Sequence, residues 1–132
     1  MIAIDASALL AVVFLEPEAS DFLRILTEYD CIVGAPTRFE SKLNLRLKAT
    51  PAHLDELLRI LRLPNVETVD FTEVHANIAQ AAFDRYGRRQ DHPARLNFGD
   101  CMAYAIAKAA DAPLLFKGGD FLHTDVRPAI TV

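Results

Sequence analysis

Several features that define whole classes of protein are scarce in this sequence. Its 132 residues include 2 cysteines, 4 histidines and no tryptophan. Neither Cys31 nor Cys101 belongs to a Cys-X-X-Cys pair, and the histidines lack zinc-motif spacing, which argues against a structural zinc site or a disulfide framework. The longest apolar run, residues 8–15, is far short of the roughly 20 residues that span a bilayer, and no basic signal segment opens the chain. We therefore expect a cytoplasmic protein without membrane contact.

An excess of positive charge is also missing. The 14 Lys and Arg residues against 18 Asp and Glu give a formal net charge of -4 at pH 7, so the chain lacks the general positive field that attracts nucleic acid. Any contact with nucleic acid must come from a local basic patch or a bound metal. Five glycines and seven prolines are too few for a linker-rich chain. Length and hydrophobic content predict one folded domain over residues 1–132, with a sizeable core.

Short apolar runs alternate with helical patterns along the chain. We predict strands at residues 2–4, 31–33, 66–69, 114–116 and 130–132. Amphipathic spacing predicts helices at residues 7–14, 18–28, 37–49, 51–61, 72–86 and 102–110. This alternation is typical of an α/β fold, here a central parallel sheet of four to five short strands with helices on both faces. Such folds bind ligands at the carboxyl edge of the sheet.

Four acidic residues lie at separate junctions between predicted strands and helices. Asp5 comes directly after the first strand, and Glu40 lies early in the helix after the second. Asp100 lies in the first turn of an alanine-rich helix, three residues after Asn97, and Asp120 follows the fourth strand. Each has a simpler explanation when taken singly. Asp5 and Asp100 have the spacing of helix caps, and Glu40 could be a solvated surface residue.

Taken together, the four acids indicate chemistry. Because the carboxyl ends of parallel strands meet at one edge, we expect the four carboxylates to converge there. Close carboxylates repel one another unless a cation neutralises them, and hard oxygen ligands suit Mg²⁺ or Mn²⁺. Such sites favour phosphodiester hydrolysis, since the metal lowers the pKa of a bound water and stabilises the charge of the transition state. The acids therefore predict a divalent-metal-dependent nuclease.

Four segments also carry a resemblance to a known family. They are IDASAL at residues 4–9, APT at 35–37 followed by Glu40, HPARLNFGDC at 92–101, and LLFKGGDF at 114–121 followed by Thr124 and Asp125. In these segments the chain resembles the PIN-domain ribonucleases, specifically the VapC-type toxins of bacterial toxin–antitoxin pairs. The resemblance covers nearly the whole chain, and the Asn-Phe-Gly-Asp-Cys run is its strongest motif.

The resemblance implies which residues hold metal. Asp5 and Asp100 match the principal Mg²⁺ ligands of the family and Glu40 its third acid, so these three and Asp120 are the candidate catalytic residues. The fourth position departs from the pattern, because family members often carry an acid or Asn where this chain has Gly119. That role could pass to Asp120, to Asp125 or to a water held by backbone. The usual Thr after the first Asp is replaced by Ala6.

The resemblance also implies an activity and partners. It implies an endoribonuclease that hydrolyses RNA, either tRNA or another structured RNA, with water activated by Mg²⁺, for which Mn²⁺ can substitute. It further implies a cognate VapB-type antitoxin that blocks the site, a homodimer, and operator DNA bound only through the antitoxin.

Other residues are candidates for assisting the acids. Ser7, Asn97, Lys117 and Asp125 could hold the carboxylates or position the phosphate. A basic stretch flanked by Tyr86 and Phe98 could hold phosphates and stack a base, or could be a solvated loop. Its arginines are Arg85, Arg88, Arg89 and Arg95. Apolar residues such as Leu15, Phe22 and Leu26 should be core, and any that are exposed would form an antitoxin groove or a dimer interface.

Other site types fit less well. A phosphate-accepting receiver domain needs adjacent acids after its first strand, where this chain has Ala6, and a haloacid-dehalogenase-type phosphatase needs an acid in place of Ser7. The remaining alternative is a catalytically degenerate PIN domain that binds RNA or protein without cutting. Ala6 and Gly119 suggest that alternative.

Overall fold

A computed structural model describes residues 1–48 and 50–130 of the chain. The strands are β1 (Ile2–Ile4), β2 (Cys31–Gly34), β3 (Val66–Val69) and β4 (Leu114–Leu115). The helices are α1 (Ala6–Val13), α2 (Ala19–Glu28), α3 (Ala35–Lys48), α4 (Pro51–Leu61), α5 (Glu73–Tyr86) and α6 (Phe98–Ala109), and a short 3₁₀ helix spans Asp120–His123. None of these helices is long and apolar enough to cross a bilayer.

The four strands form one parallel sheet in the order β3-β2-β1-β4. In its register, Ile2 pairs with Cys31 and Ala3 pairs with Leu114. The backbone N–H of Asp5 donates to the carbonyl of Leu115 at 2.9 Å, which places the residue after β1 beside the end of β4. All four carboxyl ends therefore open on one edge, and the prediction of a PIN-like α/β fold with a parallel sheet is confirmed.

Alternating side chains of the strands pack into two separate cores. Ile2 and Ile4 of β1 belong to the core that also contains buried residues of α1 to α4, while Ala3 faces the core formed with α5 and α6. The period of two along a strand makes this division, because successive side chains point to opposite faces. Phe22 is buried as expected, whereas Leu15 is 85% exposed just after α1. The sheet is thus covered by helices on both faces.

Helix α6 begins at Phe98, four residues earlier than predicted. The side chain of Asn97 accepts a hydrogen bond from the backbone N–H of Asp100 at 2.8 Å, and the Asp100 carboxylate accepts one from the backbone N–H of Asn97 at 3.0 Å. This reciprocal capping box satisfies the first free N–H groups and so starts the helix at once. Helix α3 likewise starts at residue 35 instead of 37, and residue 49 of its predicted range lies outside the described residues.

The prediction of a fifth strand at residues 130–132 is not met where it can be examined. Ile130 lies in a bend, and residues 131 and 132 lie outside the described residues. The chain pairs with β4 slightly earlier, where the N–H of Leu114 donates to the carbonyl of Arg127 and the N–H of Ala129 donates to the carbonyl of Leu114, both at 2.8 Å. These two bonds make an isolated parallel bridge between Leu114 and Pro128.

Candidate active site

Asp5 is the most deeply buried acid at the carboxyl edge of the sheet. It caps the N-terminus of α1 and is 4% exposed. One carboxylate oxygen, Oδ2, accepts hydrogen bonds from the backbone N–H of Ser7 at 3.0 Å and from the Ser7 hydroxyl at 2.6 Å. Burial raises the pKa of Asp5, and the hydrogen bonds from Ser7 and the backbone of Ala6 only partly oppose this. The capping explanation of Asp5 is therefore correct, and it leaves the second oxygen, Oδ1, for another ligand.

Asp100 reaches the same place from the first turn of α6. Its backbone and one oxygen are held by the capping box with Asn97. Burial raises the pKa of Asp100 to about 6, the hydrogen bond from Asn97 lowers it, and the charges of Asp5 and Asp120 raise it. Arg88 lowers it again, which shows that this guanidinium lies within electrostatic range of the carboxylate. A capping role and a position in the acidic site thus coexist in one side chain.

Glu40 joins these acids from α3. Its carboxyl group lies directly over the backbone of Gly99, because a Cβ at position 99 would be 2.6 Å from Cδ and 2.8 Å from Oε1 of Glu40. Burial raises the pKa of Glu40 to about 7, and the charges of Asp5 and Asp100 add to the rise. The charges of the three acids therefore act on one another, although the acids come from the starts of three separate helices.

Asp120 and Asp125, the two candidates for the fourth acidic position, have different surroundings. Asp120 opens the 3₁₀ helix, is exposed, and lies near enough to raise the pKa of Asp100. Asp125 instead accepts hydrogen bonds from the Tyr104 hydroxyl at 2.7 Å and from the Lys108 ammonium at 3.1 Å. Burial alone would raise the pKa of Asp125, but these donors outweigh it and hold the pKa below its usual range. Both oxygens of Asp125 therefore accept hydrogen bonds from α6, and its role at the acidic site stays a prediction.

Lys117 also departs from expectation. Its ammonium pairs with Glu16, and with Glu18 at 3.2 Å, so it neutralises acids before α2 rather than the acidic site. Its backbone N–H, however, donates to the Ser7 hydroxyl at 2.9 Å. Ser7 thus ties the segment after β4 to Asp5. The prediction for Ser7 and Asn97 as hydrogen-bonding neighbours matches their contacts, whereas the side chain of Lys117 points elsewhere.

The predicted arginines differ in what they contact. Among these arginines, all in the described part of the chain, Arg88 is the one whose charge lowers the pKa of Asp100. The guanidinium of Arg85 lies 4.9 Å from the centre of the Tyr86 ring, a cation–π geometry. Arg89 and Arg95 are exposed on the loop between α5 and α6. Arg88 is therefore the arginine whose charge acts on the Asp100 carboxylate.

The acids have the chemistry of a divalent-cation site but do not enclose an ion. Over residues 1–48 and 50–130, no three His, Cys, Asp or Glu side chains are grouped closely enough to hold one. They are instead spaced so that Asp5 and Asp100 raise the pKa of Glu40, which is the repulsion that a bound cation would offset. Oxygen donors with few competing partners suit Mg²⁺ or Mn²⁺. The chemistry of these donors therefore fits such a metal.

Two features of the site were missed from the sequence. Gly99 provides the space for Glu40, and the backbone of residue 117 is held by Ser7. The first had a signal, since a glycine inside the first turn of an alanine-rich helix costs about 1 kcal/mol relative to alanine and points to a packing requirement. The second had none, because any residue can supply a backbone N–H.

Comparison with known proteins assigns the chain to a family. The model of the PIN domain matches residues 2–127. Ribonuclease VapC28 of Mycobacterium tuberculosis is 38% identical over 131 residues, which cover 96% of this chain and 96% of that protein. The chain belongs to the VapC-type ribonucleases of the PIN-domain family. Other mycobacterial VapC ribonucleases are 53% identical to this VapC-type chain over 66 residues. This match covers 49%, about half, of the length of those proteins.

Solved structures show the same fold in VapC-type toxins. The crystal structure of VapC20 of Mycobacterium tuberculosis, described as a toxin that cleaves the sarcin–ricin loop, matches with a TM-score of 0.71 at 18% identity, over 97% of this chain and 100% of that one. A toxin–antitoxin complex from Klebsiella pneumoniae matches with a TM-score of 0.70 at 15% identity, over 95% of this chain and 93% of that one. At these identities the likeness is one of fold, and it agrees with the family assignment.

Proposed function

We propose that this VapC-type chain is a Mg²⁺-dependent endoribonuclease toxin in which Asp5, Glu40, Asp100 and Asp120 bind the metal. The observation that carries the proposal is the meeting of three acids from α1, α3 and α6 at the carboxyl edge of the sheet. Their pKa values are raised by burial, and those of Glu40 and Asp100 also by the neighbouring carboxylates. Ionisation of these carboxyl groups is unfavourable in the metal-free protein, and a bound cation offsets the repulsion between them.

The residues around the acids have separate tasks in this proposal. A bound Mg²⁺, or Mn²⁺ in its place, supplies a lowered pKa for an attacking water and neutralises charge at the phosphate. Ser7 holds one oxygen of Asp5, so that the other faces the site. Asn97 orients Asp100 in the same way. Arg88 lies within range of Asp100 and binds a phosphate oxygen of the RNA.

The proposed substrate is RNA, and we favour tRNA or another structured RNA. VapC20, which shares the fold, is described as a toxin that cleaves the sarcin–ricin loop. The net charge of -4 supports a substrate held at a local site rather than by a general positive surface. Such a substrate implies a location in the cytoplasm.

The proposed partner is a VapB-type antitoxin. Helix α3 exposes Phe39, Leu43 and Leu47 at intervals of four residues, which forms an apolar stripe on one side of the helix. Glu40 lies beside this stripe on the same helix, so a segment that covers the stripe also covers the acids. The Klebsiella pneumoniae structure of the same fold is a toxin–antitoxin complex. We further propose a homodimer, and operator DNA binding only through the antitoxin.

Cleavage of total cellular RNA tests the proposal. The purified chain is incubated with Mg²⁺, with Mn²⁺ or with EDTA, and the ends of the products are mapped. Asp5→Asn and Asp100→Asn remove one metal-binding charge each, while Asp55→Asn removes an exposed charge from α4 and serves as the matched control. We expect discrete metal-dependent cuts from the wild type and Asp55→Asn only. Full cleavage by Asp100→Asn would refute the site, and a folded, inactive wild type would favour the degenerate binding module.

A further inference from the structure

A concave apolar groove lies between α5 and α6, next to the acids. Its walls are formed by Ala79 and Phe83 of α5 and by Phe98 and Met102 of α6, and Phe71, which follows β3, closes one end. The groove has a volume of about 370 Å³, which is in the range of sites for small ligands. Because β3 ends at the same edge as the other strands, the groove opens at the carboxyl edge of the sheet.

Phe98 links this groove to the acidic site. It is the first residue of α6 and is 78% exposed, although it is one of the largest apolar side chains in the protein. Its neighbour Gly99 is the residue over which the Glu40 carboxyl group lies, and Asp100 follows. Phe98 is therefore the immediate chain neighbour of the backbone that the Glu40 carboxyl group contacts.

The groove and the acidic site differ in charge as the two parts of a nucleotide do, an uncharged base and a charged phosphate. None of the residues that line the α5–α6 groove is charged, whereas the adjoining site carries Asp100 and Arg88. A larger groove beside β4 is lined by Glu18, Asp21 and Lys117, and the lysine already pairs with Glu18 at 3.2 Å, which leaves no cation among its described residues for a phosphodiester chain. The stripe on α3 is a row of protruding side chains on a helix surface and suits a protein partner better than a planar base.

We infer that the α5–α6 groove binds a nucleobase of the RNA adjacent to the scissile phosphate, with Phe98 as the stacking surface. This inference rests on the proposed nuclease function and names the substrate contact beside its catalytic acids. Single-stranded RNA is commonly held by stacking of its splayed bases on aromatic rings. Since every base has a π face, the contact strengthens binding at many sequences and does not by itself choose the cut site.

Kinetics on a short RNA that spans a mapped cut site test the stacking role. Phe98→Ala should lower kcat/KM by about 10-fold to 100-fold, the range expected for the loss of one stacked base, and mainly through KM. Phe98→Trp should restore activity, whereas Phe98→Leu, which is apolar without a ring, should behave like Phe98→Ala. Tyr29→Ala removes an exposed aromatic residue before β2, at the opposite edge, and should match the wild type.

A second measurement does not depend on cleavage. An RNA of the same sequence carries the fluorescent base analogue aminopurine beside the cut site and is bound to Asp100→Asn. We expect the emission to be quenched on binding and the quenching to disappear when Phe98→Ala is added. Thermal melting of each variant confirms that it is folded.

The outcomes separate this inference from the nuclease proposal. If Asp100→Asn abolishes cleavage while Phe98→Ala cleaves and quenches like the wild type, the base-binding groove is refuted and the nuclease stands. Wild-type activity in Phe98→Leu, or a change in oligomeric mass in Phe98→Ala, would assign the groove to a protein contact and also refute the inference. If Asp100→Asn still cleaves, the nuclease site is refuted, and Phe98-dependent quenching then supports base binding alone.

Discussion

The acids of this chain fall into two regions with opposite electrostatics. At the carboxyl edge of the sheet, Asp5 and Asp100 accept hydrogen bonds from neutral donors, and the pKa values of both are raised. On the far part of α6, Asp125 accepts from the Lys108 ammonium as well as from Tyr104, and its pKa is lowered. Acids paired with cations stabilise the fold, whereas acids held only by neutral groups carry a negative charge that a bound cation can neutralise.

Introducing a methyl group at Gly99 should break the acidic region. A Cβ there would lie 2.6 Å from Cδ of Glu40, so Gly99→Ala should displace that carboxyl group. We expect activity to fall by about 100-fold, and stability to fall by about 1–3 kcal/mol as in overpacked sites, although alanine normally favours a helix. RNA cleavage and thermal melting measure both effects.

Gly119→Ala is the matched control for that change. Nothing lies within 4 Å of a Cβ at position 119, and its φ of -101° is allowed for alanine. It should therefore leave activity and stability near wild type. Equal losses in the two variants would contradict the contact between Gly99 and Glu40.

The two regions should also respond to pH with opposite signs. The pKa of Glu40 rises from 4.5 to about 7 on folding, and that of Asp100 from 3.8 to about 6, so the folded chain binds more protons than the unfolded chain between those values. The free energy of unfolding of the metal-free protein should thus decrease as pH rises from about 4 to about 7, by about 2 kcal/mol after allowance for solvent screening. Glu40→Gln should flatten this decrease.

Added Mg²⁺ should reverse the trend. A cation that binds the ionised acids stabilises the folded chain more at pH 8 than at pH 5, because protons compete with it. Asp125 behaves in the other direction, since its lowered pKa contributes stability above 3.8 that is lost as pH falls through the folded value. Thermal melts across pH with and without Mg²⁺ measure these effects, and a Mg²⁺ shift that is independent of pH would contradict them.

Ser7 joins the acidic region to β4, and its removal should have an intermediate effect. The hydroxyl donates to Asp5 at 2.6 Å and accepts from the N–H of residue 117 at 2.9 Å. Ser7→Ala should lower activity by about 10-fold, as expected for a residue that orients a metal ligand. Ser20→Ala, at an exposed position of α2, is the control. Unchanged Mg²⁺ affinity and activity in Ser7→Ala would show that Asp5 does not need this support.

The smallest effect is expected from Lys117→Ala. Its ammonium pairs with Glu16 and Glu18 near the surface, and exposed ion pairs contribute about 1 kcal/mol or less. RNA cleavage should remain near the wild-type rate, because the backbone N–H that binds Ser7 is retained. A loss of activity as large as that of Asp100→Asn would place the lysine at the phosphate after all.

Patterns of local sequence predicted most of the fold. The bounds of α4 at residues 51–61 and of β1 and β3 agree with expectation, because apolar periodicity and strand alternation are read within a few residues. The capping box between Asn97 and Asp100 was also predicted, since its partners are three residues apart. The alanine-rich run predicted a start of α6 at residue 102, whereas the capping box starts the helix at Phe98.

Long-range partners could not be predicted in this way. Lys117 was placed at the acids by its position after β4, but its ammonium reaches Glu16 across a different face of the chain. Asp125 was predicted as a candidate for the site from its place after β4. In the structure, its carboxylate accepts hydrogen bonds from Tyr104 and Lys108 of α6. In both cases the direction of a side chain, rather than the position of its backbone, decides the partner.

The amino-acid sequence by itself predicted that acids at four separate junctions of the fold would share one edge, because parallel strands leave their carboxyl ends together. The tertiary structure alone decided which acids meet, since Glu40 lies over Gly99 only when α3 packs beside α6. It also decided that Phe98 stands exposed at the mouth of an apolar groove. The reason is physical: periodicity records burial along one element, whereas contacts between elements depend on how their surfaces fit.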